Sequence, residues 1–196
     1  MTRPLCYIVR HGQTDWNAEH RLQGQADRDI NETGRSQATN NGLRLKDLVS
    51  DPATFDFVAS PMLRTRHTME RVRTAMGLDP RGYRTDPRLM ELNFGDWQGF
   101  TFAELEQRTP GLRAARNRDK WNYVPPGDGA ESYAMLTQRI ASWLPEIAQP
   151  TICVAHGGVI RALFRLLDAA DEEEASRMDV PQDRILRMEA GRLEWL

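Results

Sequence analysis

The chain has 196 residues, and its 26 Lys and Arg nearly balance its 28 Asp and Glu, for a formal net charge of −2. A length of this order fits one domain, residues 1–196, whose core needs no disulfide or metal staple. Hydrophobic residues at 40%, charged residues at 28%, 14 Gly and 11 Pro exclude the collagen, coiled-coil and disordered classes. Near-neutral charge argues against nucleic acid or an anionic membrane surface as the main partner.

The opening apolar run, Leu5 to Val9, is too short for a signal-peptide core. It is also far below the about 18 residues of a spanning helix, so a cytoplasmic protein is expected. The same run has the length of a strand covered on both faces. Gly34, Ala38, Asn41/Gly42, Leu45 and Leu48 then recur at helical spacing. Phe55 to Ala59 reads as a second strand, and Ser60-Pro61 as the N-cap and first residue of the next helix. The stripe Met62, Thr65, Met69, Val72 and Met76 continues that helix to Gly77.

A helix from about Glu131 carries Leu136, Ile140, Trp143/Leu144 and Ile147, with Pro145 kinking or shortening it. Thr151 to Ala155 is the third strong strand, and Ile160, Leu163, Phe164 and Leu167 mark the helix after it. The acidic run Asp171 to Glu174 suits a solvated helix start. The chain closes with a hairpin around Ala190-Gly191. Cys6 and Cys153 lie in core-strand runs and read as free buried thiols. Strands alternating with helices predict an α/β sandwich with a mostly parallel sheet, whose ligands bind beyond the carboxyl ends of the strands.

That rule selects Arg10-His11-Gly12, Ser60-Pro61 with Arg64, and His156-Gly157-Gly158. Two histidines and two arginines meeting at neighbouring strand ends make a pocket for an anion with several oxygens, most simply a phosphate. Gly157 lets backbone N–H groups approach that anion closely at a helix start. Phosphoryl transfer needs an in-line nucleophile, positive charge around the equatorial oxygens and an acid for the leaving oxygen. Imidazole supplies the first, arginine the second. Glu91, after Arg88-Leu89-Met90 at a strand-to-loop junction, is the candidate acid, expected to be kept protonated by burial beside the phosphate. His20 and His67 read as ordinary polar residues, and the four histidines have no metal-ligand spacing.

RHGQTDWN (10–17), RLQGQADRDINETGRSQA (21–38), SPMLRTRHT (60–68), LMELNFGDWQG (89–99) and VAHGGVIRAL (154–163) resemble, in order and spacing, the histidine phosphatase superfamily, phosphoglycerate-mutase-like branch. The resemblance spans nearly the whole chain. It implies a three-layer αβα sandwich, a mixed sheet with one antiparallel strand, and no metal or cofactor. It makes His11 the nucleophile that becomes a phosphohistidine, and has Arg10, Arg64 and His156 grip the phosphate oxygens. Glu91 becomes the acid and then the base that activates water. Asn17, Gln23 and Gly24 fall at positions that reach the phosphate or its rim.

Two departures from the family pattern are Gln13, where RHGET is commoner, and Gln98, where WEG is commoner. Both remove a carboxylate beside the pocket and are read as making it more positive. Residues 100–130 form a small insert with Arg108, Arg113, Arg116, Arg118, Lys120, Trp121 and Tyr123, read either as a solvated helix or as a lid that selects the substrate. The Pro125-to-Ser132 stretch after it is two residues longer than the Pro-Pro-Gly-Gly-Glu-Ser of several relatives.

The expected activity is metal-independent hydrolysis of a small phosphorylated metabolite. A cofactor-dependent phosphoglycerate mutase is the alternative, disfavoured by a chain shorter than the mutases and lacking part of their closing segment. A non-catalytic phosphate-binding module is the third reading, and the intact set of nucleophile and acid argues against it. A C2 homodimer is the default assembly.

Overall fold

Cys6, Tyr7, Ile8 and Val9 are each at most 5% exposed, so the first strand is covered on both faces. The computed structural model describes residues 4–196. Residues 1–3, the start of the segment read for targeting signals, lie outside the described residues. The strands are β1 (Cys6–Arg10), β2 (Asp56–Ala59), β3 (Arg84–Thr85), β4 (Thr151–Ala155), β5 (Ile185–Glu189) and β6 (Arg192–Trp195). The helices are α1 (Asp15–Ala18), α2 (Glu32–Leu48), α3 (Leu63–Ala75), α4 (Phe102–Arg108), α5 (Leu112–Arg118), α6 (Tyr133–Trp143), α7 (Gly157–Leu166) and α8 (Glu172–Arg177).

The sheet order is β3-β2-β4-β1-β5-β6. β3, β2, β4 and β1 pair in parallel, while β5 runs against both of its neighbours. This is the expected mixed sheet with one antiparallel strand. Alternation along each strand divides the core in two. Tyr7, Val9, Phe57, Ile152 and Val154 pack with Leu45, Met69 and Val72 of α2 and α3. Cys6, Ile8, Val58 and Cys153 face the other way, toward Leu136, Ile140, Ile160 and Leu163 of α6 and α7. The result is three layers. Both thiols are free and buried, and burial pushes both up in pKa, so neither is a nucleophile at neutral pH.

Several elements follow their sequence signals closely. Gly77 ends α3 with φ +80°, and Pro145 ends α6 in a short 3₁₀ turn. Asp171 caps α8 through a capping box with Glu174. Ala190 and Gly191 both have positive φ, as a two-residue hairpin turn requires.

Three expectations need correction. Ser60-Pro61 does not cap α3, which starts at Leu63 after Met62, because the Ser60 hydroxyl is taken by His156. Arg88 to Met90 is not a strand; Pro87–Leu89 is a 3₁₀ turn capped by Asp86, so Glu91 sits on a loop. Leu48 lies off the buried face of α2 at 41% exposure. The edge strand β3 escaped the sequence reading because its two residues are polar and exposed.

The start of α2 touches the loop after β1. A Cβ on Gly34 would lie 2.2 Å from the Gln13 carbonyl oxygen, and one on Gly12 would lie 2.3 Å from that of Gly34. Gly34→Ala is expected to lower stability by about 1–3 kcal/mol through overpacking. Leu48→Ala should change it by less than about 0.5 kcal/mol, with urea unfolding as the measurement for both.

Candidate active site

β4 lies between β1 and β2, and its ladder continues past the strand ends. His11 N donates to Ala155 O at 3.0 Å, and Ser60 N donates to Val154 O at 3.1 Å. His11, Ser60 and His156 therefore emerge side by side at the carboxyl edge. The two imidazole centroids are 5.2 Å apart, and both rings are buried.

A cavity of about 140 Å³ opens beside them. Arg10, His11, Asn17, Gln23, Gly24, Arg64, Glu91 and Gly157 all line it. His156, alone among the expected site residues, does not. It lies behind Arg64, whose Nε donates to His156 Nδ1 at 3.3 Å. The sequence reading missed Arg21, Leu22, Phe94, Tyr133 and Arg161, which complete the wall. Arg161 had a signal, since it stands one turn into the helix that follows His156.

His11 Nδ1 is 2.8 Å from its neighbour's carbonyl, Gly12 O, which only accepts. Nδ1 thus carries the proton, and Nε2 is left with its lone pair. Burial, then the charges of Arg64 and Arg10, hold the ring well below the usual imidazole range. His156 is held low by burial and Arg64 in the same way. Both rings are neutral at neutral pH.

Arg64 is a fully buried cation and Arg10 a partly buried one, and neither has a carboxylate at ion-pair distance among the described residues. Arg64 Nη1 donates to Ala26 O at 2.9 Å and Nη2 to Gly24 O at 2.6 Å. Arg10 Nη1 donates to Val180 O at 2.6 Å, while its buried Nε has no partner. Burial pushes each guanidinium down to about 10, with nearby Arg161 adding to the effect at Arg10. Both stay charged. The Gln23 side-chain oxygen is likewise buried and unpartnered.

Glu91 enters the cavity from its loop, which Arg139 clamps by donating to Arg88 O at 2.6 Å and Met90 O at 2.8 Å. Its Oε1 and Oε2 accept from Gly158 N at 3.1 and 3.2 Å, at the start of α7. A Cβ on Gly158 would stand 2.2 Å from Oε1, so this contact requires glycine there. A Cβ on Gly157 would stand 3.3 Å from Arg161 Nη1 and in ordinary contact with the Arg10 guanidinium. Asn17 Oδ1 accepts from Thr14 N and from Gln182 Nε2, which also donates to His11 O.

Gln13 and Gln98 do not line the cavity themselves, and Gln98 stands behind Gly24, which does. The Gln13 side-chain oxygen accepts from Asn31, and that of Gln98 accepts from Gln25 N at 2.6 Å. Gln98 thereby holds the 23–26 loop whose carbonyls seat Arg64. Residues 100–130 form two short helices rather than one solvated helix. Arg108 stacks over Phe100, and Arg113 and Arg116 over Phe102. Trp121 is buried against Tyr133. Lys120 donates to Ser176 O, and burial beside Arg116 and Arg161 pushes its ammonium down to about 8.

Neutral buried histidines have a stability signature. Below the ordinary imidazole value of 6.5, the unfolded chain takes up protons that folded His11 and His156 refuse. Stability is therefore expected to fall as pH drops from about 6.5 to 5, and His11→Asn should make that fall shallower. Urea unfolding across this range measures both slopes.

The glucosyl-3-phosphoglycerate phosphatase of Mycobacterium tuberculosis (strain CDC 1551 / Oshkosh) is 34% identical over 171 residues, covering 82% of this chain and 73% of the relative. The 2,3-bisphosphoglycerate-dependent phosphoglycerate mutase of Cytophaga hutchinsonii is 29% identical, covering 90% and 83%. A solved mycobacterial glucosyl-3-phosphoglycerate phosphatase complexed with VO3 superposes with a TM-score of 0.76 at 28% identity, covering 98% of this chain and 96% of that one. The family model of the histidine phosphatase superfamily (branch 1) matches residues 6–195, and the chain belongs to that family.

Proposed function

We propose that this protein is a phosphomonoesterase that hydrolyses a small phosphorylated metabolite through a phosphohistidine on His11. One observation carries the reading. The His11 Nδ1 contact with Gly12 O leaves Nε2 unprotonated, in a cavity that also holds a carboxyl group and two guanidinium groups without ion-pair partners among the described residues. Nε2 attacks phosphorus, the P–O ester bond breaks, and the leaving oxygen takes a proton from Glu91. Glu91 then takes a proton from water, whose oxygen attacks phosphorus, and the P–N bond breaks to restore His11. Arg10 and Arg64 stabilise the equatorial oxygens through both steps. Asn17, Gln23, Gly24 and Gly157 border the same phosphate. His156 contributes from behind Arg64.

The substrate is a phosphate ester with a second anionic end. The names of the relatives point to phosphoglyceryl compounds, and Arg161 lines the cavity with the charges of Arg116 and Lys120 close behind it, none of the three with an ion-pair partner among the described residues. The two short helices of the 100–130 insert act as the lid of a single domain. Two unpaired thiols suit the cytoplasm, and a homodimer is the proposed assembly. Among the described residues, no helix is long and apolar enough to cross a membrane.

Hydrolysis of a generic aryl phosphate should persist in EDTA and fall at least about a thousandfold in His11→Ala. Equal rates for the two proteins would exclude the covalent route. The second reading, a mutase, draws on the relative of that name. An assay of 3-phosphoglycerate with and without 2,3-bisphosphoglycerate separates the two. Phosphate release should exceed cofactor-stimulated isomerisation, and the reverse result would favour the mutase.

A further inference from the structure

Ser60 is the motif residue for which phosphoryl transfer provides no task. It is fully buried just past β2, and its hydroxyl lies 2.9 Å from His156 Nε2. On the opposite side of the ring, Arg64 Nε donates to Nδ1 at 3.3 Å. A guanidinium is a donor only, so Nδ1 must present its lone pair. The neutral ring then carries its proton on Nε2, which donates to the Ser60 oxygen. An imidazolium would turn an N–H against the Arg64 N–H, and burial with the Arg64 charge opposes that form.

We propose that Ser60 is a positioning residue that fixes the Nε2–H tautomer of His156 and, through it, the guanidinium of Arg64. The inference rests on the reading of Arg64 as a phosphate ligand. Three contacts hold that guanidinium: His156 Nδ1 on Nε, Ala26 O on Nη1 and Gly24 O on Nη2. One N–H remains on each terminal nitrogen for phosphate oxygens. Removing the Ser60 hydroxyl leaves Nε2–H buried without this acceptor. The proton then gains by moving to Nδ1, where it meets Arg64 Nε–H and displaces the guanidinium. Two of the three backbone contacts around Ser60 do not involve the hydroxyl: Ser60 N is held by Val154 O, and Ser60 O accepts from the Thr65 hydroxyl, while the hydroxyl oxygen itself accepts a long contact from Met62 N at 3.5 Å.

The test combines ¹⁵N NMR of the His156 ring with the affinity for inorganic phosphate measured by calorimetry. Wild type at neutral pH should show a protonated Nε2 and an unprotonated Nδ1. Ser60→Ala should mix that pattern and weaken phosphate binding about tenfold, the scale of one buried charge-assisted hydrogen bond. Ser60→Thr, which keeps the hydroxyl, should restore both. An Nδ1–H or imidazolium signal in wild type would overturn the proposal, as would Ser60→Ala with both readouts unchanged. Should Ser60→Ala fail to fold, Ser60→Cys, whose sulfur accepts only weakly, takes its place with the same two readouts, and both unchanged would overturn the proposal. Aryl phosphate turnover by wild type tests the underlying phosphatase reading separately, since the tautomer is observed without turnover.

Discussion

Two guanidinium groups, one fully and one partly buried, neither with a carboxylate at ion-pair distance among the described residues, set the terms for the rest of the molecule. A desolvated cation is costly unless its N–H groups find acceptors. Here the acceptors are the backbone carbonyls of Gly24, Ala26 and Val180 and the Nδ1 of His156. Loops far apart in sequence must be held still to provide them. Gln98 pins the first through Gln25 N, and Gly24 adopts φ +52° there, where a Cβ would collide with the Gln98 side chain. Arg161 braces the other by donating to Met178 O.

Burial first, and the charge of these arginines after it, set the protonation of both histidines. A protonated His11 would have no lone pair on Nε2 and would stand beside two cations. Burial and the arginine field remove that state, so the proposed nucleophile is ready before any substrate arrives. The arrangement also concentrates positive potential where phosphoryl oxygens gather negative charge. Glu91 is brought near this field by the start of α7, where only a glycine at 158 lets the carboxyl group approach the backbone.

Much of this was legible in the sequence. Continuous apolar runs marked β1, β2 and β4, and the strand-end rule selected Arg10, His11, Arg64 and His156 before any coordinates. What stayed hidden depends on side-chain direction. Ser60 followed by proline looks like a helix cap, yet its hydroxyl turns away to His156. Gln13 and Gln98 sit beside pocket residues in sequence, but their amides face loops. The inward-facing Arg116 cannot be told from its exposed neighbour Arg118 by composition, since only packing against Phe102 and Tyr133 separates them. Arg139 gave no signal, because its clamp on the Glu91 loop uses backbone carbonyls.

The central claim, covalent transfer to His11 with Glu91 serving the water step, has a direct measurement. Glu91→Gln mixed with an aryl phosphate bearing a good leaving group needs no acid to form the phosphoenzyme, but lacks the base that hydrolyses it. Rapid quench followed by intact-mass and peptide mass spectrometry should find acid-labile phosphate accumulating on His11, to near one per chain. Phosphate on another residue, or none above wild type despite continued turnover, would contradict the account.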